Sequence, residues 1–454
     1  MRGLENFPIS KFRLCEYPLF IRGLAIVKLG AAVANHDMGL LSDELFNAIS
    51  QACREIMEGK FHEFFPVDMI QGGAGTTTNM NANEVIANRA LEIMGHARGE
   101  YQYCSPNDHV NCSQSSNDTF PTAMHVAARV ALEEQVLPAI GRLTATLDRL
   151  SAEYRDVVKI GRTHLQDAVP LTLGQEISGW SAMLGHDRDM IVQACRALSE
   201  LALGGTAVGT GLNAPAAFGD LAAEEISELL GYAFLSAPNK FHALTSKDQM
   251  VFAHGALKAL AADLMKIAND VRWLASGPRC GIGELIIPAN EPGSSIMPGK
   301  INPVMTEVMI LACHRVAGNQ AGVGFGAFSG ELDLGASSAV PIRSILNSID
   351  ILSRSMVLFA DKCVNGLSAN AEKCLHAAER STSLATMVSA LFGYKIGSRV
   401  ANLAYEHNIT CREAAEREHL LSHEAADDLF DLLSLTDVKK TEALFAKYAG
   451  IRNV

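Results

Sequence analysis

The sequence lacks the residue patterns that mark several large classes of protein. Its ten cysteines are scattered without CxxC or Cys/His ligand spacing, which argues against a disulfide scaffold or a zinc site. No segment approaches the roughly 20 uninterrupted apolar residues that span a bilayer, and the first residues carry no apolar stretch typical of a signal peptide. We therefore expect a cytoplasmic protein without a membrane span, whose cysteines are reduced and mostly structural.

Positive charge is also scarce. The chain has 50 acidic and 38 basic residues, a formal net charge of −12, and no long Lys/Arg run. The electrostatic footprint of a nucleic-acid-binding protein is therefore missing, and an acidic surface disfavours anionic membranes. A small anionic substrate remains compatible with this balance, because a few cationic groups in a cleft can set the local field.

The motifs of the common cofactor-dependent enzymes are missing as well. The sequence contains no GxGxxG or P-loop pattern, no GxSxG nucleophile elbow, and no cluster of Asp, Glu and His with metal-ligand spacing. We expect neither a cofactor nor a metal ion.

Helical periodicity dominates what is present. Apolar residues recur at spacings of three and four in long segments that begin at Gly23, Thr122 and Gln249, while strand-like alternation is scarce. The prediction is an all-α subunit of three regions: an N-terminal domain (1–115), a central long-helix bundle (116–370) and a small C-terminal domain (371–454). Several helical segments are apolar on more than one face, which favours burial between subunits over a single thick core in a monomer.

Five segments rich in glycine, asparagine and hydroxyl groups interrupt the helices, and such loops on a rigid frame are where chemistry tends to lie. The densest reads "PGSSIMPGKINPV" from Pro292. The loops supply neutral hydrogen-bonding groups and two groups able to carry positive charge, Lys300 and His164, which together suit the binding of a carboxylate. The neutral groups are Thr76, Ser115, Ser116, Asn117, Thr163, Ser294, Ser295 and Asn302.

A site of this kind suits reactions in which negative charge builds up on a substrate carboxylate. Removal of a proton next to a carboxylate gives an aci-carboxylate, which preorganised donors stabilise more than the ground state, and a group on the adjacent carbon can then leave. Ser294 would act as the base only as an alkoxide, for which Gly293 and Lys300 could supply the environment. The alternative for this stretch is a helix-capping loop without catalytic function.

The sequence resembles the aspartase/fumarase superfamily, whose signature GSSxMPxKxN is complete at residues 293–302. The likeness also covers "GGAGTTTNMNANE", "SQSSNDTFPTA", "GRTHLQDAVP" and "GGTAVGTGLN", and extends to about residue 330. It implies a helical homotetramer that acts on a small dicarboxylate, with each active site built by three subunits.

The resemblance also implies roles for individual residues. Ser294 would be the general base on a mobile loop, and Lys300 and Asn302 would hold a substrate carboxylate beside Ser295. Thr163 and His164 would be contributed by a neighbouring subunit, with Glu307 as the partner of the histidine or, alternatively, as a first-turn acid of a helix. Polar groups of the substrate would be bound by Thr76, Ser115, Ser116 and Asn117.

The leaving group is less clear in the sequence. "QGGAGTTTNMNANE" and "NPVMTEVM" look like the aspartate ammonia-lyases, whereas "NKFHALTSKD" and "SGPRCGIGELIIPANEPGSSIMPGK" look like the class II fumarate hydratases. We expect ammonia elimination from L-aspartate to give fumarate. The alternatives are fumarate hydration, a superfamily lyase with another amino- or hydroxy-carboxylate substrate, and a non-enzymatic protein on the same scaffold.

Departures from the family pattern occur at both ends of the match. The chain begins about forty residues later than is usual in the family, and Arg2 would match an arginine near the site. In the segment 330–344, the asparagine of the family's "ELN" pattern and a nearby proline of the family are absent. These departures make a changed substrate plausible.

Overall fold

The computed structural model describes the backbone of residues 2–453 and the side chains of residues 3–451. Within this range the chain is mainly helical, which confirms the all-α prediction. The helices are α1 (Arg2–Asn6), α2 (Pro18–Asp37), α3 (Asp43–Met57), α4 (Thr76–Ile93), α5 (Ser116–Ala131), α6 (Leu137–Glu153), α7 (Leu173–Ala197), α8 (Phe218–Leu230), α9 (Lys240–Thr245), α10 (Asp248–Leu274), α11 (Val304–Phe328), α12 (Ala339–Lys362), α13 (Ala371–Glu379), α14 (Ala385–Phe392), α15 (Tyr394–His407), α16 (Cys411–Arg417), α17 (His423–Leu429) and α18 (Val438–Lys447).

The strands in the described range are short and form three separate pairs. They are β1 (Val158–Thr163), β2 (Gln166–Thr172), β3 (Glu200–Leu201), β4 (Leu235–Ser236), β5 (Leu285–Ile286) and β6 (Ser368–Ala369). β1 and β2 form an antiparallel hairpin in which Thr163 pairs with Gln166, β3 pairs with β4 in parallel, and β5 pairs with β6 in antiparallel.

The chain divides into two compact units. Unit 1 contains residues 1–140, 186–262 and 311–355, and unit 2 contains residues 141–185, 263–310 and 356–454. The unit boundaries fall inside long helices such as α10 and α11. The division into three sequential regions stays a prediction.

The core of unit 1 is built around α2, which packs against α3, α5 and α8. Gly23 permits this contact with α5, because a Cβ atom there would lie 2.9 Å from the Cβ of Ala127. By its length and composition α2 could cross a membrane. The search of the sequence for uninterrupted apolar runs did not find this helix. Because 78% of its most apolar 18-residue stretch is buried inside the protein, we interpret α2 as a core helix.

The long helical segments of the sequence are confirmed, with interruptions that periodicity did not predict. The segment from Gly23 is divided between α2 and α3 by a turn at Gly39 (φ 75°), after which Ser42 caps α3. A π-helical turn over Leu132–Val136 connects α5 to α6.

The C-terminal part of unit 2 has its own apolar core. Buried side chains of α14 to α17, among them Val388, Leu391 and Val400, pack with Val158 and Ile160 of β1. This core supports the β1–β2 hairpin, whose tip carries two of the candidate site residues, Thr163 and His164.

Candidate active site

The first of the polar loops ends in a well-formed helix cap. Ser115 is the N-cap of α5: its Oγ accepts a hydrogen bond from Asn117 N at 3.2 Å, and its N–H donates to Asp118 Oδ1 at 2.9 Å. This capping box holds Ser116 and Asn117 at the positive end of a 16-residue helix. The local sequence SSND therefore folds into a site that favours negative charge.

Asp118 organises the surroundings of this helix start. The second oxygen of its carboxylate accepts hydrogen bonds from Gly204 N at 3.1 Å and Thr206 N at 2.8 Å, and Asn117 Nδ2 donates to Ala207 O at 2.8 Å. Burial raises the pKa of Asp118 to about 6 in spite of these bonds. The structure thus joins "GGTAVGTGLN" to "SSND", a contact that the sequence analysis missed.

Thr76 begins α4 and is exposed, with its hydroxyl donating to Gly73 O at 2.7 Å. The residue before it, Gly75, has φ 86°, and a Cβ atom there would collide with the ring of Phe120. Only glycine fits this position without strain. A cavity of about 730 Å³ adjoins Thr76 within unit 1, lined among others by Phe64, Thr77, Met80 and Glu84.

Thr163 ends β1 and His164 begins the turn of the β1–β2 hairpin, and both are exposed. The two turn residues, His164 and Leu165, have φ values of 53° and 61°. Two-residue hairpin turns with positive φ at both positions normally contain Asn-Gly, and larger residues are strained there by about 1–2 kcal/mol each. Such strain often accompanies function, here the presentation of an imidazole at the hairpin tip.

A buried ion cluster supports this hairpin. Lys159 Nζ lies 3.0 Å from Glu176 Oε2 and 3.2 Å from Glu284 Oε2, while Arg162 Nη2 lies 2.8 Å from Glu284 Oε1. Lys159 and Glu284 are almost completely buried. Burial raises the pKa of Glu176, and the charge of Lys159 opposes this shift. Glu284 directly precedes β5, so the cluster links the hairpin to the segment that leads into the Ser294 loop.

The loop from Gly293 to Asn302 is closed on itself. Gly293 N donates to Lys300 O at 2.9 Å, and Asn302 Nδ2 donates to Gly293 O at 2.7 Å. A side chain at residue 293 would collide with the carbonyl oxygen of Lys300, so the glycine of the signature is required by the close approach of two backbone segments.

Ser294 receives two backbone hydrogen bonds within this loop. Its Oγ accepts from Ile296 N at 3.2 Å and from Met297 N at 3.0 Å. Across the described residues the Lys300 ammonium has no hydrogen bond or ion pair, so the hydrogen bonds to the hydroxyl come from these two N–H groups. Two aligned N–H groups favour an ionised hydroxyl, as a serine base requires.

Several other site residues make no side-chain hydrogen bond or ion pair within the described part of the chain. Glu307 lies exposed in the first turn of α11, and no described contact joins it to His164. Its role as a partner of the histidine stays a prediction. The same lack of described side-chain partners holds for Thr163, His164, Ser295 and Lys300. The side chain of Arg2 lies outside the described residues.

The candidate residues therefore form separate groups. Thr76, Ser115, Ser116 and Asn117 belong to unit 1, while the hairpin tip and the Ser294 loop belong to unit 2. Sequence reasoning missed four supporting residues: Lys28, Asp118 and Glu284, which are buried, and Asn111, which is partly buried. One signal was available: Lys28 is a single charge in the apolar run "LAIVKLGAAVA".

The fold and the loops define a mainly helical protein whose loops are rich in hydroxyl and amide groups, and comparison with known proteins identifies its family. The family model described as "Lyase" matches residues 2–318. The chain therefore belongs to the lyase family, and the resemblance to the aspartase/fumarase superfamily is confirmed.

The chain is similar over nearly its whole length to proteins named class II fumarate hydratase. It is 50% identical to that of Bacillus subtilis over 429 residues (94% of this chain and 92% of the relative). It is 48% identical to that of Campylobacter jejuni over 430 residues (95% and 92%).

Two solved structures are also similar. The fumarate lyase:delta crystallin from Brucella melitensis has a TM-score of 0.92 and 42% identity, and the class II fumarase from Schistosoma mansoni has a TM-score of 0.92 and 36% identity. The similarity covers 96% of this chain and 94% of each of those chains.

These findings correct one expectation. The prediction of a carbon–nitrogen lyase that removes ammonia from L-aspartate is wrong, because the relatives at about half identity carry the name of the hydratase, the alternative reading. The motifs that favoured the ammonia-lyase, such as "QGGAGTTTNMNANE", begin a helix and fix a loop in the structure.

Proposed function

We propose that the protein is a hydro-lyase that interconverts fumarate and L-malate. The observation that carries this proposal is the near 50% identity, over 94–95% of the chain, to class II fumarate hydratases. The site geometry supports the same chemistry, since its loops offer hydroxyl, amide and backbone donors for the carboxylates of a small dicarboxylate.

Ser294 is the base in this proposal. As an alkoxide it removes a proton from the carbon next to a carboxylate of malate, and the N–H groups of Ile296 and Met297 stabilise its charge before the transfer. The carboxylate then carries a second negative charge. Lys300, Asn302 and Ser295 bind it, and their contribution is largest when this charge has developed.

Departure of water differs from departure of ammonia because hydroxide needs a proton as it leaves. His164 at the strained hairpin tip supplies this proton, with Thr163 binding beside it, and the exposed imidazole is free of competing partners in the described part of the chain. Ser116 and Asn117 at the start of α5, together with Ser115 and Thr76, bind the remaining polar groups of the substrate.

We also propose that the protein is a homotetramer with active sites shared between subunits. Unit 1 exposes large apolar side chains on its helices, including Phe252 of α10 and Phe325 and Phe328 of α11, the last with 81% of its surface exposed. The rings of Phe325 and Phe328 lie together, with centroids 6.3 Å apart, and adjacent exposed apolar side chains of this kind are typical of subunit contacts. Site side chains without described partners, such as Lys300 and Glu307, are those that a neighbouring subunit and a substrate would engage.

The test is to incubate the purified protein with L-malate and, separately, with L-aspartate, and to follow the absorbance of fumarate. Fumarate from malate alone is the expected result. Fumarate from aspartate alone would contradict the proposal. Lack of product from both would also contradict it, and would direct attention to the altered segment 330–344.

A further inference from the structure

A lysine lies at the centre of unit 1 without contact with water. Lys28, in the middle of α2, has no exposed surface. Its ammonium group donates hydrogen bonds to Asn111 Oδ1 at 3.1 Å and Gln114 Oε1 at 2.8 Å. Both acceptors are neutral amides in the loop that leads into Ser115, so this loop wraps around a buried cation.

The charge of Lys28 has no close counter-ion. No carboxylate of the described side chains lies within 4.0 Å of its ammonium group, although a buried charge is costly unless it is paired. The titratable groups that act on it are Asp118 of α5 and Cys53 of α3. Burial lowers the pKa of Lys28 to about 7, and it raises the pKa of the Cys53 thiol to about 12, so that this thiol is neutral where Lys28 titrates.

Hydrogen bonds connect Lys28 to the helix start. Asn111 Oδ1, which accepts from Lys28, also accepts from Asn79 Nδ2 at 3.1 Å. The same Nδ2 group donates to Ser116 Oγ at 2.9 Å. Because Ser116 Oγ accepts this bond, its own O–H remains available to donate to a ligand. Asn79 is fully buried, so water is excluded from this link of the network, while Asn111 and Ser116 are partly exposed.

We propose that Lys28 is a positioning residue for substrate binding, which supplies the buried positive charge behind Ser116 and, through Asn111 and Asn79, directs the Ser116 hydroxyl proton toward a substrate carboxylate. This inference deepens the proposed function and rests on it. Lys28 does not touch the substrate; it acts through the amides and through the local potential.

The protonation of Lys28 and the binding of a dicarboxylate are then coupled. A bound anion stabilises the ammonium form and raises the pKa of Lys28, so binding takes up a proton near and above pH 7. In the free protein Lys28 is charged below its pKa and neutral above it. Affinity for the dicarboxylate is therefore highest at lower pH and falls as the pH rises through this pKa.

The experiment compares KM and kcat for L-malate from about pH 6 to about pH 9, on either side of the Lys28 pKa, in the wild type and in Lys28→Met. The matched control is Lys247→Met. Lys247 is also a buried lysine of unit 1 with a lowered pKa, but among the described residues its ammonium group donates only to the carbonyl oxygens of Leu244 and Ser246. Both variants lose a buried ammonium group. Of the two lysines, only Lys28 is hydrogen-bonded to the amide network.

At the lower pH we expect KM of Lys28→Met to be roughly tenfold higher than KM of the wild type, while kcat changes by less than about threefold. KM of the wild type should rise with pH, whereas KM of Lys28→Met should not change with pH. Lys247→Met keeps the wild-type pH profile of KM. A Lys28→Met profile of KM that matches the wild type would overturn the inference.

A second variant decides the matter if Lys28→Met does not fold. Asn111→Asp keeps an oxygen that accepts from Lys28 and Asn79 but gives the ammonium a counter-ion. It is expected to raise KM by a similar factor, and an unchanged KM would overturn the inference. A wild type without activity on malate would instead overturn the proposed function. An active wild type with unaltered variants overturns only the role of Lys28.

Discussion

Arg162 and the buried Glu284 form an ion pair, with 2.8 Å between Nη2 and Oε1, that ties the hairpin of Thr163 and His164 to the segment preceding the Ser294 loop. The two residues are far apart in sequence, and each adjoins a segment with candidate catalytic groups. The pair shows how the interior of unit 2 holds two exposed loops, through a buried carboxylate and a guanidinium that is only partly exposed.

Replacement of Glu284 tests the strength of this arrangement. Glu284→Gln leaves Arg162 and Lys159 without their shared carboxylate, and the loss of one partner from a buried ion cluster costs about 3–5 kcal/mol of unfolding free energy. The measurement is denaturant unfolding. The control is Asp361→Asn, which removes a pair with Arg142 that is partly exposed and is expected to cost at most about 1 kcal/mol. Equal losses in the two variants would contradict a structural role for the cluster.

The hairpin tip can be altered without changing its backbone. His164→Asn keeps a residue that tolerates positive φ but removes the imidazole, so the thermal midpoint should stay near that of the wild type while kcat falls by roughly 10²–10⁴-fold. Thermal unfolding and malate turnover measure the two effects. His407→Asn, at an exposed position in the C-terminal part of unit 2, is the control for loss of a histidine. Near-native turnover of His164→Asn would remove His164 from catalysis.

Ser294→Ala should lower kcat by roughly three orders of magnitude or more, because a base acts in the transition state and contributes little to assembly. Turnover and the oligomeric mass report the two properties. Ser422→Ala is a suitable control: Ser422 Oγ also accepts a backbone N–H, from Ala425 at 3.2 Å, but caps α17 away from the polar loops. A Ser294→Ala protein with wild-type turnover would exclude the serine as the base.

Shared active sites predict complementation. If His164 and Ser294 of one site come from different subunits, a mixture of His164→Asn and Ser294→Ala subunits, dissociated and reassembled together, contains some sites with both groups intact. Part of the wild-type activity should therefore return, while either variant reassembled alone stays inactive. No gain of activity in verified hybrid oligomers would show that each site is built without this exchange.

The sequence predicts local features of this protein better than distant ones. The long helices and the candidate residues of the polar loops, such as Ser115 and Ser294, could be predicted from periodicity and short motifs, because the residues that define them are only a few positions apart. The roles of Lys28 and Glu284 could not be predicted, because their partners lie far along the chain. A lone lysine in an apolar helix indicates a buried network only when its contacts with Asn111 and Gln114 are known. The leaving group was predicted wrongly because both branches share the donors for the carboxylate.

The central claim is that water, and not ammonia, is the second reactant. The most direct measurement is to supply the protein with fumarate in buffers without and with ammonium and to identify the products. We predict L-malate in both buffers and no aspartate. Aspartate formation that requires ammonium, with no malate in its absence, would contradict the account.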